Sequence, residues 1–255
     1  MQLAYETYGE GYPLLILHGL FGSSENWQTL SRVFARCYRV FAVDQRNHGH
    51  SPHSPIMDYA VMAEDVREFM QAHALSSAYI LGHSMGGKVA MQFALTWPEQ
   101  VAKLVVVDIA PRASDPDLEY IFQALLSLDL RTFRTRKEMD HALVKRIPDE
   151  SLRGFLLKNV THNQDGKFEW GIDLQAIHDN YPEINRGIES KTRFDKPVLF
   201  IRGERSDYVT ERDTGAIRRM FPYSKIVTVP GVGHWVHAEA RRRFARIVVA
   251  FLGQA

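Results

Sequence analysis

The 255-residue sequence lacks most features of secreted, membrane-spanning or nucleic-acid-binding proteins. Cys37 is the single cysteine, so the chain cannot form an internal disulfide, which fits a reducing compartment. No apolar run approaches the roughly 20 residues that a membrane-spanning helix needs, so no membrane span is expected. The formal net charge is +1, which gives no electrostatic reason to expect a nucleic acid as partner.

Signals for export and for common cofactors are also missing. Residues 1–6 contain no basic segment followed by an apolar core, so we expect no secretion signal there. The glycines form neither a dinucleotide-binding G-x-G-x-x-G after a strand nor a phosphate-binding P-loop. We therefore predict a cytoplasmic protein that needs no cofactor, and the sequence leaves its oligomeric state open.

One short motif in the sequence is typical of nucleophilic catalysis. Residues 82–86 read G-x-S-x-G, with Ser84 at the centre, an apolar segment before them and a helix-forming run after them. A serine on a sharp strand-to-helix turn projects its hydroxyl away from the sheet, and Gly82 and Gly86 would relieve the crowding there. The following helix directs free N–H groups towards the serine. The motif therefore predicts a nucleophile beside an anion site.

The pattern of apolar residues indicates an α/β fold with one interruption. Six buried strands are predicted, at residues 13–17, 38–44, 78–81, 103–108, 197–203 and 225–229. Their alternation with helical patterns favours a mostly parallel twisted sheet with helices on both faces. Residues 112–191 show amphipathic helices and no strong strand, so we predict a helical cap there, inserted into a core of residues 1–111 and 192–255. The cap follows a strand's carboxyl end, where α/β proteins bind ligands.

The chain offers several histidines as partner for the serine. A serine hydroxyl needs a base within hydrogen-bond reach, and the base needs an acceptor that fixes its tautomer. His234 lies in a glycine-rich loop directly after the last predicted strand, so it can reach the same sheet edge as Ser84. We therefore predict His234 as the base, with His237 as the alternative.

Two backbone N–H groups must stabilise the oxyanion of an acyl-transfer reaction. Met85, directly after the nucleophile, supplies one of them. The loop after His18 supplies the other, from Leu20 or, as the alternative, from Phe21. The side chains of this loop would then line the acyl pocket, which makes Phe21 a predicted substrate-binding residue.

The polar loop at residues 45–52 carries charged and histidine side chains without a motif of its own. We expect Asp44 and Arg46 to form an ion pair that fixes the loop. His48, His50 and His53 match no strong spacing of metal ligands, so no metal site is predicted.

Several segments together resemble a known superfamily. The His18-Gly19 pair, the D-x-R at residues 44–46, the Ser84 turn and the His234 loop occur in the order of the α/β-hydrolases, and they cover nearly the whole chain apart from the cap. Five runs more narrowly resemble the YbfF group of bacterial esterases, at residues 18–23, 46–49, 82–88, 107–111 and 233–239. The resemblance implies an α/β-hydrolase fold and hydrolysis of short to medium acyl esters or of acyl-CoA thioesters.

The resemblance leaves two candidates for the acid that orients the base. Most α/β-hydrolases place it three residues beyond the glycine that ends the strand after the cap. Here Ser206 occupies that position, and Asp207 follows it. The YbfF group instead uses the end of the strand after the nucleophile's helix, which corresponds to Asp108. We favour Asp108 and keep Asp207 as the alternative.

These assignments combine into a serine hydrolase acting on a small-molecule acyl ester or thioester. Ser84 attacks the carbonyl, His234 transfers the proton, Asp108 orients His234, and the N–H groups of Leu20 and Met85 hold the oxyanion. Carbon–carbon bond hydrolases and perhydrolases keep the same serine and stay open as alternatives. A ligand receptor with little turnover is the third alternative.

Overall fold

The computed structural model describes residues 1–114 and 118–253. These residues form nine strands: β1 (Tyr5–Tyr8), β2 (Tyr12–Leu17), β3 (Tyr38–Val43), β4 (Ala78–His83), β5 (Val101–Val107), β6 (Val160–His162), β7 (Phe168–Trp170), β8 (Val198–Gly203) and β9 (Ser224–Val229). The same residues form eleven α-helices: α1 (Gln28–Phe34), α2 (Tyr59–Ala72), α3 (Met85–Thr96), α4 (Glu119–Leu126), α5 (Arg136–Leu143), α6 (Glu150–Leu156), α7 (Leu174–Asp179), α8 (Tyr181–Asn185), α9 (Thr214–Met220), α10 (Val236–Glu239) and α11 (Arg241–Leu252). Within the described ranges, no helix is long and apolar enough to cross a membrane.

Seven strands form one sheet in the order β1-β3-β2-β4-β5-β8-β9. Strand β1 runs antiparallel to β3, and the other neighbours are parallel. The strands at the centre read as continuous apolar runs because helices cover both of their faces. The predicted mostly parallel α/β sheet is confirmed.

The two faces of the sheet pack against different helices. Successive side chains of a strand point to opposite faces, so Ile80 of β4 packs with α2 and α3, while Leu81 packs with α1 and α11. Both side chains are fully buried, which stabilises the fold by about 1.5–3 kcal/mol for each side chain of this size. Strand β4 is thereby fixed at the middle of the core, and its carboxyl end carries Ser84.

The segment between β5 and β8 adds no strand to this sheet within the described residues. It forms helices α4 to α8 and a separate antiparallel hairpin of β6 and β7. The chain leaves and re-enters the core at adjoining points, since Ile188 N donates to Pro111 O (2.6 Å) and Ser114 N donates to Asn185 O (2.9 Å). We call this segment the cap; its boundaries at residues 112 and 191 stay a prediction.

The expected ion pair between Asp44 and Arg46 is wrong. The Asp44 carboxylate accepts hydrogen bonds from Ser24 N (2.6 Å) and His50 N (3.0 Å). Arg46 instead donates from Nε and Nη2 to Asp65 of α2, at 2.7 and 2.8 Å. A planar guanidinium favours such a two-pronged carboxylate partner, and α2 presents one. Both charges still fix the loop at residues 45–52, although through separate partners.

Candidate active site

Ser84 lies on a strained turn between β4 and α3. Its φ of 52° and ψ of −120° fall outside the ordinary regions for an L-residue. A Cβ atom at Gly82 would lie 2.1 Å from Gly86 O, and one at Gly86 would lie 2.3 Å from Leu17 O. Only glycine fits at either position. Met85 begins α3, so its N–H has no acceptor within the helix and lies next to the serine.

His234 and Asp108 approach each other from two different strand ends. His234 follows β9 and Asp108 follows β5, and His234 Nδ1 donates to Asp108 Oδ2 at 2.8 Å. The fully buried Asp108 also accepts from Gly203 N (2.8 Å) and from the Ser206 hydroxyl. With its proton on Nδ1, the imidazole keeps a lone pair on Nε2, as a general base requires.

The structure brings Asp108, and not Asp207, against His234. Asp207 is exposed, and its backbone carbonyl accepts a hydrogen bond from Arg112 Nη2 at 3.0 Å. Ser206, at the position where most α/β-hydrolases would carry the acid, donates its hydroxyl to Asp108. Ser206 and Asp108, which occupy the two positions where α/β-hydrolases carry the acid, therefore meet here, Asp108 as the carboxylate and Ser206 as its hydrogen-bond donor.

The rings of Tyr208 and His83 contact His234 and hold its loop in place. Tyr208 stacks on the His234 ring with centroids 4.0 Å apart, and His83 Nε2 donates to the His234 carbonyl oxygen at 3.1 Å. His237, the alternative base, stacks on Trp27 at 4.4 Å. Burial lowers the pKa of His237 to about 3 and the pKa of His83 well below its ordinary value, so both rings are neutral at pH 7.

A cavity of about 250 Å³ connects the serine and the histidine. Ser84, His234 and Phe21 line it together with apolar side chains, among them Leu118, Ile121, Leu152, Phe155 and Trp235. Among the described residues no hydrogen bond joins the Ser84 hydroxyl to His234. Such bonds are often long in free enzymes and shorten when substrate binds.

The two candidate oxyanion donors in the loop after β2 differ in their partners. Phe21 N donates to His48 Nε2 at 3.2 Å, so this amide is already used. The Leu20 N–H has no hydrogen-bond partner in the part of the chain that the structure describes. Gly19 brings the loop close to the nucleophile, since a Cβ there would lie 3.2 Å from the Ser84 Cβ. This pattern favours Leu20 over Phe21 as the second donor.

The three histidines of the loop at residues 45–52 and just after it do not share a site. His48 is buried beneath Phe21, His50 lies beside Asp44, and His53 lies beside Asp173. Within residues 1–114 and 118–253, no group of three or more His, Cys, Asp or Glu side chains is arranged so that it could hold a metal ion.

Comparison with known proteins identifies the fold. A family model described as the alpha/beta hydrolase fold matches residues 12–240. The chain belongs to the α/β-hydrolase family. This α/β-hydrolase is 35% identical to Esterase YbfF from Escherichia coli, over 94% of this chain and 92% of that protein. It is 34% identical to the sn-1-specific diacylglycerol lipase ABHD11 from Danio rerio, over 99% and 83% of the two chains.

A solved structure described as a marine microorganism esterase is similar over the whole fold. Its TM-score is 0.96 at 41% identity, and the match covers 98% of this chain and 99% of that one. The resemblance to the YbfF group is therefore confirmed, and this α/β-hydrolase is a carboxylic ester hydrolase, as the sequence predicts.

Sequence reasoning missed the residues that support the site. His48 accepts a hydrogen bond from Phe21 N, Tyr208 stacks on His234, and Asn159 donates a hydrogen bond to Phe21 O. His48 lies in the run at residues 46–49 that resembles the YbfF group, although its role was not assigned, and no local motif marks Tyr208 or Asn159. Ser206 carried a usable signal, because it occupies the position of the acid in most relatives of this fold.

Proposed function

We propose that this α/β-hydrolase is a serine esterase that cleaves short to medium acyl esters through an acyl-enzyme on Ser84. The observation that carries the proposal is the 2.8 Å hydrogen bond from His234 to Asp108, beside a cavity that Ser84 also lines. Serine at its free pKa is a weak nucleophile and reacts when a neighbouring imidazole removes its proton. The chain order Ser84, Asp108, His234 is also that of triads on this fold.

The reaction proceeds in two halves. His234 Nε2 takes the Ser84 proton while Oγ bonds to the acyl carbon, and the carbonyl oxygen becomes an oxyanion held by the N–H groups of Leu20 and Met85. The bond to the leaving oxygen then breaks, and His234 protonates that oxygen, so the alcohol departs. Water attacks the acyl-enzyme by the same relay, and Ser84 regains its proton as the acid leaves. Asp108 keeps the Nδ1 proton in place throughout.

The size and lining of the cavity support an acyl chain of modest length. The cavity of about 250 Å³ lies just below the range of about 300–1,000 Å³ that is usual for ligand pockets, so it suits a small acyl group. Its apolar side chains, including Ile121 and Phe155, favour hydrocarbon over a charged group. We therefore place the acyl chain, rather than a charged leaving group, among these residues.

The leaving group is a separate question within the same mechanism. A thioester would be cleaved by the same steps with a thiol departing. The proposal is therefore tested on a panel of candidate substrates that includes an acyl-CoA. The relative named sn-1-specific diacylglycerol lipase adds glycerol esters to it. Carbon–carbon bond cleavage and perhydrolysis need the same Ser84, and they are tested by adding a β-diketone substrate and an ester assay in the presence of hydrogen peroxide. A ligand receptor would bind members of the panel without turnover.

A covalent probe and matched substitutions test the proposal. A fluorophosphonate should label the wild type at Ser84, as read by peptide mass, and p-nitrophenyl esters should be hydrolysed. Ser84→Ala should abolish labelling and lower turnover at least about 10³-fold. Ser77→Ala, which removes a hydroxyl bonded to Tyr12 on the surface, is the matched control and should retain both. Undiminished hydrolysis by Ser84→Ala, or a folded wild type that is neither labelled nor active, would refute the proposal.

A further inference from the structure

The backbone at Phe21 adopts a conformation that its side chain disfavours. Residues 19–22 form a turn that Gly22 N closes by donating to Gly19 O at 3.0 Å. Phe21, the third residue of this turn, has a φ of 59°. Turns of this kind usually place glycine or asparagine there, and a bulky residue costs about 1–3 kcal/mol. Contacts outside the turn must offset this strain.

The first contact is made by His48, in the loop at residues 45–52, with the Phe21 N–H. His48 Nδ1 donates to Arg46 O at 2.9 Å, which leaves Nε2 as the acceptor for Phe21 N at 3.2 Å. His48 is completely buried, and this burial lowers its pKa to about 3. The Nε2 lone pair is therefore available to Phe21 throughout the neutral range.

The second contact comes from the cap and acts on the Phe21 carbonyl. Asn159 directly precedes β6, and its Nδ2 donates to Phe21 O at 2.9 Å and to Leu156 O at 3.1 Å. Asn159 is buried, and the ring of Phe122 from α4 lies 5.2 Å from the Phe21 ring. The cap thus contacts the carbonyl and the ring of Phe21. The core contacts its N–H through His48.

We propose that His48 and Asn159 are positioning residues that keep Phe21 in its left-handed conformation, so that the Leu20 N–H stays available to the oxyanion. Because Asn159 belongs to the cap, the cap takes part in holding the oxyanion loop through this one side chain. This proposal rests on the proposed function, since it assigns Asn159 and His48 to the same reaction. Neither residue touches the substrate; both act through Phe21.

Asn159→Leu tests the cap contact while keeping the branched shape and the number of heavy atoms of the side chain. It should lower kcat for a p-nitrophenyl ester by about 10- to 100-fold and leave KM within about threefold, because the lost interaction acts in the transition state. Asn159→Asp keeps the shape but offers no donor to the Phe21 carbonyl, so it should show the same loss.

Asn180→Leu is the matched control. Asn180 also ties the cap to the core, through Nδ2 to Pro55 O (2.8 Å) and through Oδ1, which accepts from Met57 N at 3.1 Å. It does not contact Phe21. If Asn159 acts only by seating the cap, both leucine variants lose activity equally, and that result would overturn the proposal.

Two further readouts separate positioning from general damage. An alkyl boronic acid that bonds to Ser84 places an oxygen where the oxyanion forms, so its affinity should fall in Asn159→Leu by the same factor as kcat/KM. Hydrogen exchange of the amides of Phe21 and Gly22, which are both hydrogen-bonded, should accelerate in Asn159→Leu and not in Asn180→Leu. Unchanged boronate affinity or unchanged exchange in folded Asn159→Leu would overturn the proposal. A wild type without ester turnover or Ser84 labelling would defeat the proposed function, and the exchange measurement would still decide whether Asn159 holds the loop.

Discussion

The substitution Asp108→Asn changes the protonation of His234 while keeping the size of the side chain. Asp108 accepts hydrogen bonds from Gly203 N, the Ser206 hydroxyl and His234 Nδ1. In the variant, the amide oxygen can keep the bond from Gly203, and the NH₂ group then faces Ser206 and His234. An NH₂ group donates, so His234 Nδ1 must accept and its proton moves to Nε2. A protonated Nε2 cannot take the proton of Ser84.

The expected loss of activity follows from this change of tautomer. A triad histidine held in the wrong tautomer lowers kcat by about 10⁴-fold, equivalent to about 5.5 kcal/mol of transition-state stabilisation. Stability should change far less, by about 1–3 kcal/mol, because a buried hydrogen-bond network is rearranged without a cavity. KM should stay within about threefold, since Asp108 lies behind His234 and does not line the acyl cavity.

The assay is steady-state hydrolysis of p-nitrophenyl butyrate, with urea unfolding of each variant to report its stability. Asp207→Asn is the matched control, because it makes the same chemical change at the exposed neighbouring position and should keep kcat within about threefold of the wild type. A severe loss in Asp207→Asn together with a loss below about tenfold in Asp108→Asn would refute the assignment of the acid.

Two further substitutions probe packing and acid stability. Gly86→Ala should destabilise the fold by about 3 kcal/mol in urea unfolding, since its methyl group would lie 2.3 Å from a carbonyl oxygen at the end of β2. Gly154→Ala meets no atom within 4 Å and should be neutral or stabilising; equal effects of the two would contradict the prediction. His237→Phe should reduce the loss of stability in acid, because the folded-state pKa of about 3 lies below the ordinary 6.5, so the unfolded chain binds a proton there that the folded chain does not. Between about pH 8 and about pH 5 the wild type should lose about 2 kcal/mol more than the variant, and parallel pH profiles would refute this.

The Ser84 turn could be predicted because its information is local. Gly82 and Gly86 flank the serine at fixed spacing, and an apolar strand and a helix adjoin them. The position of His234 followed from the glycine-rich loop at the end of β9. In parallel sheets the carboxyl ends of the strands share one edge, so local motifs at different strand ends can be expected to meet.

Sequence patterns do not show which side chains pair when the partners lie far apart in the chain. Asp108 and Asp207 both follow sheet strands, and only the folded chain shows which carboxylate faces His234. Arg46 lies two residues from Asp44, yet its partner Asp65 is 19 residues away on α2. Asn159 reaches Phe21 across 138 residues, and no periodicity in the cap marks it.

The cap leaves and rejoins the core where Ile188 N meets Pro111 O, so both of its attachment points lie side by side. A module joined in this way can be swapped for a longer or shorter one without rethreading the sheet. Chimaeras that exchange it between relatives should therefore fold with their nucleophile and base undisturbed. We expect a chimaera to keep full activity only if its new cap also carries an amide donor at the position of Asn159.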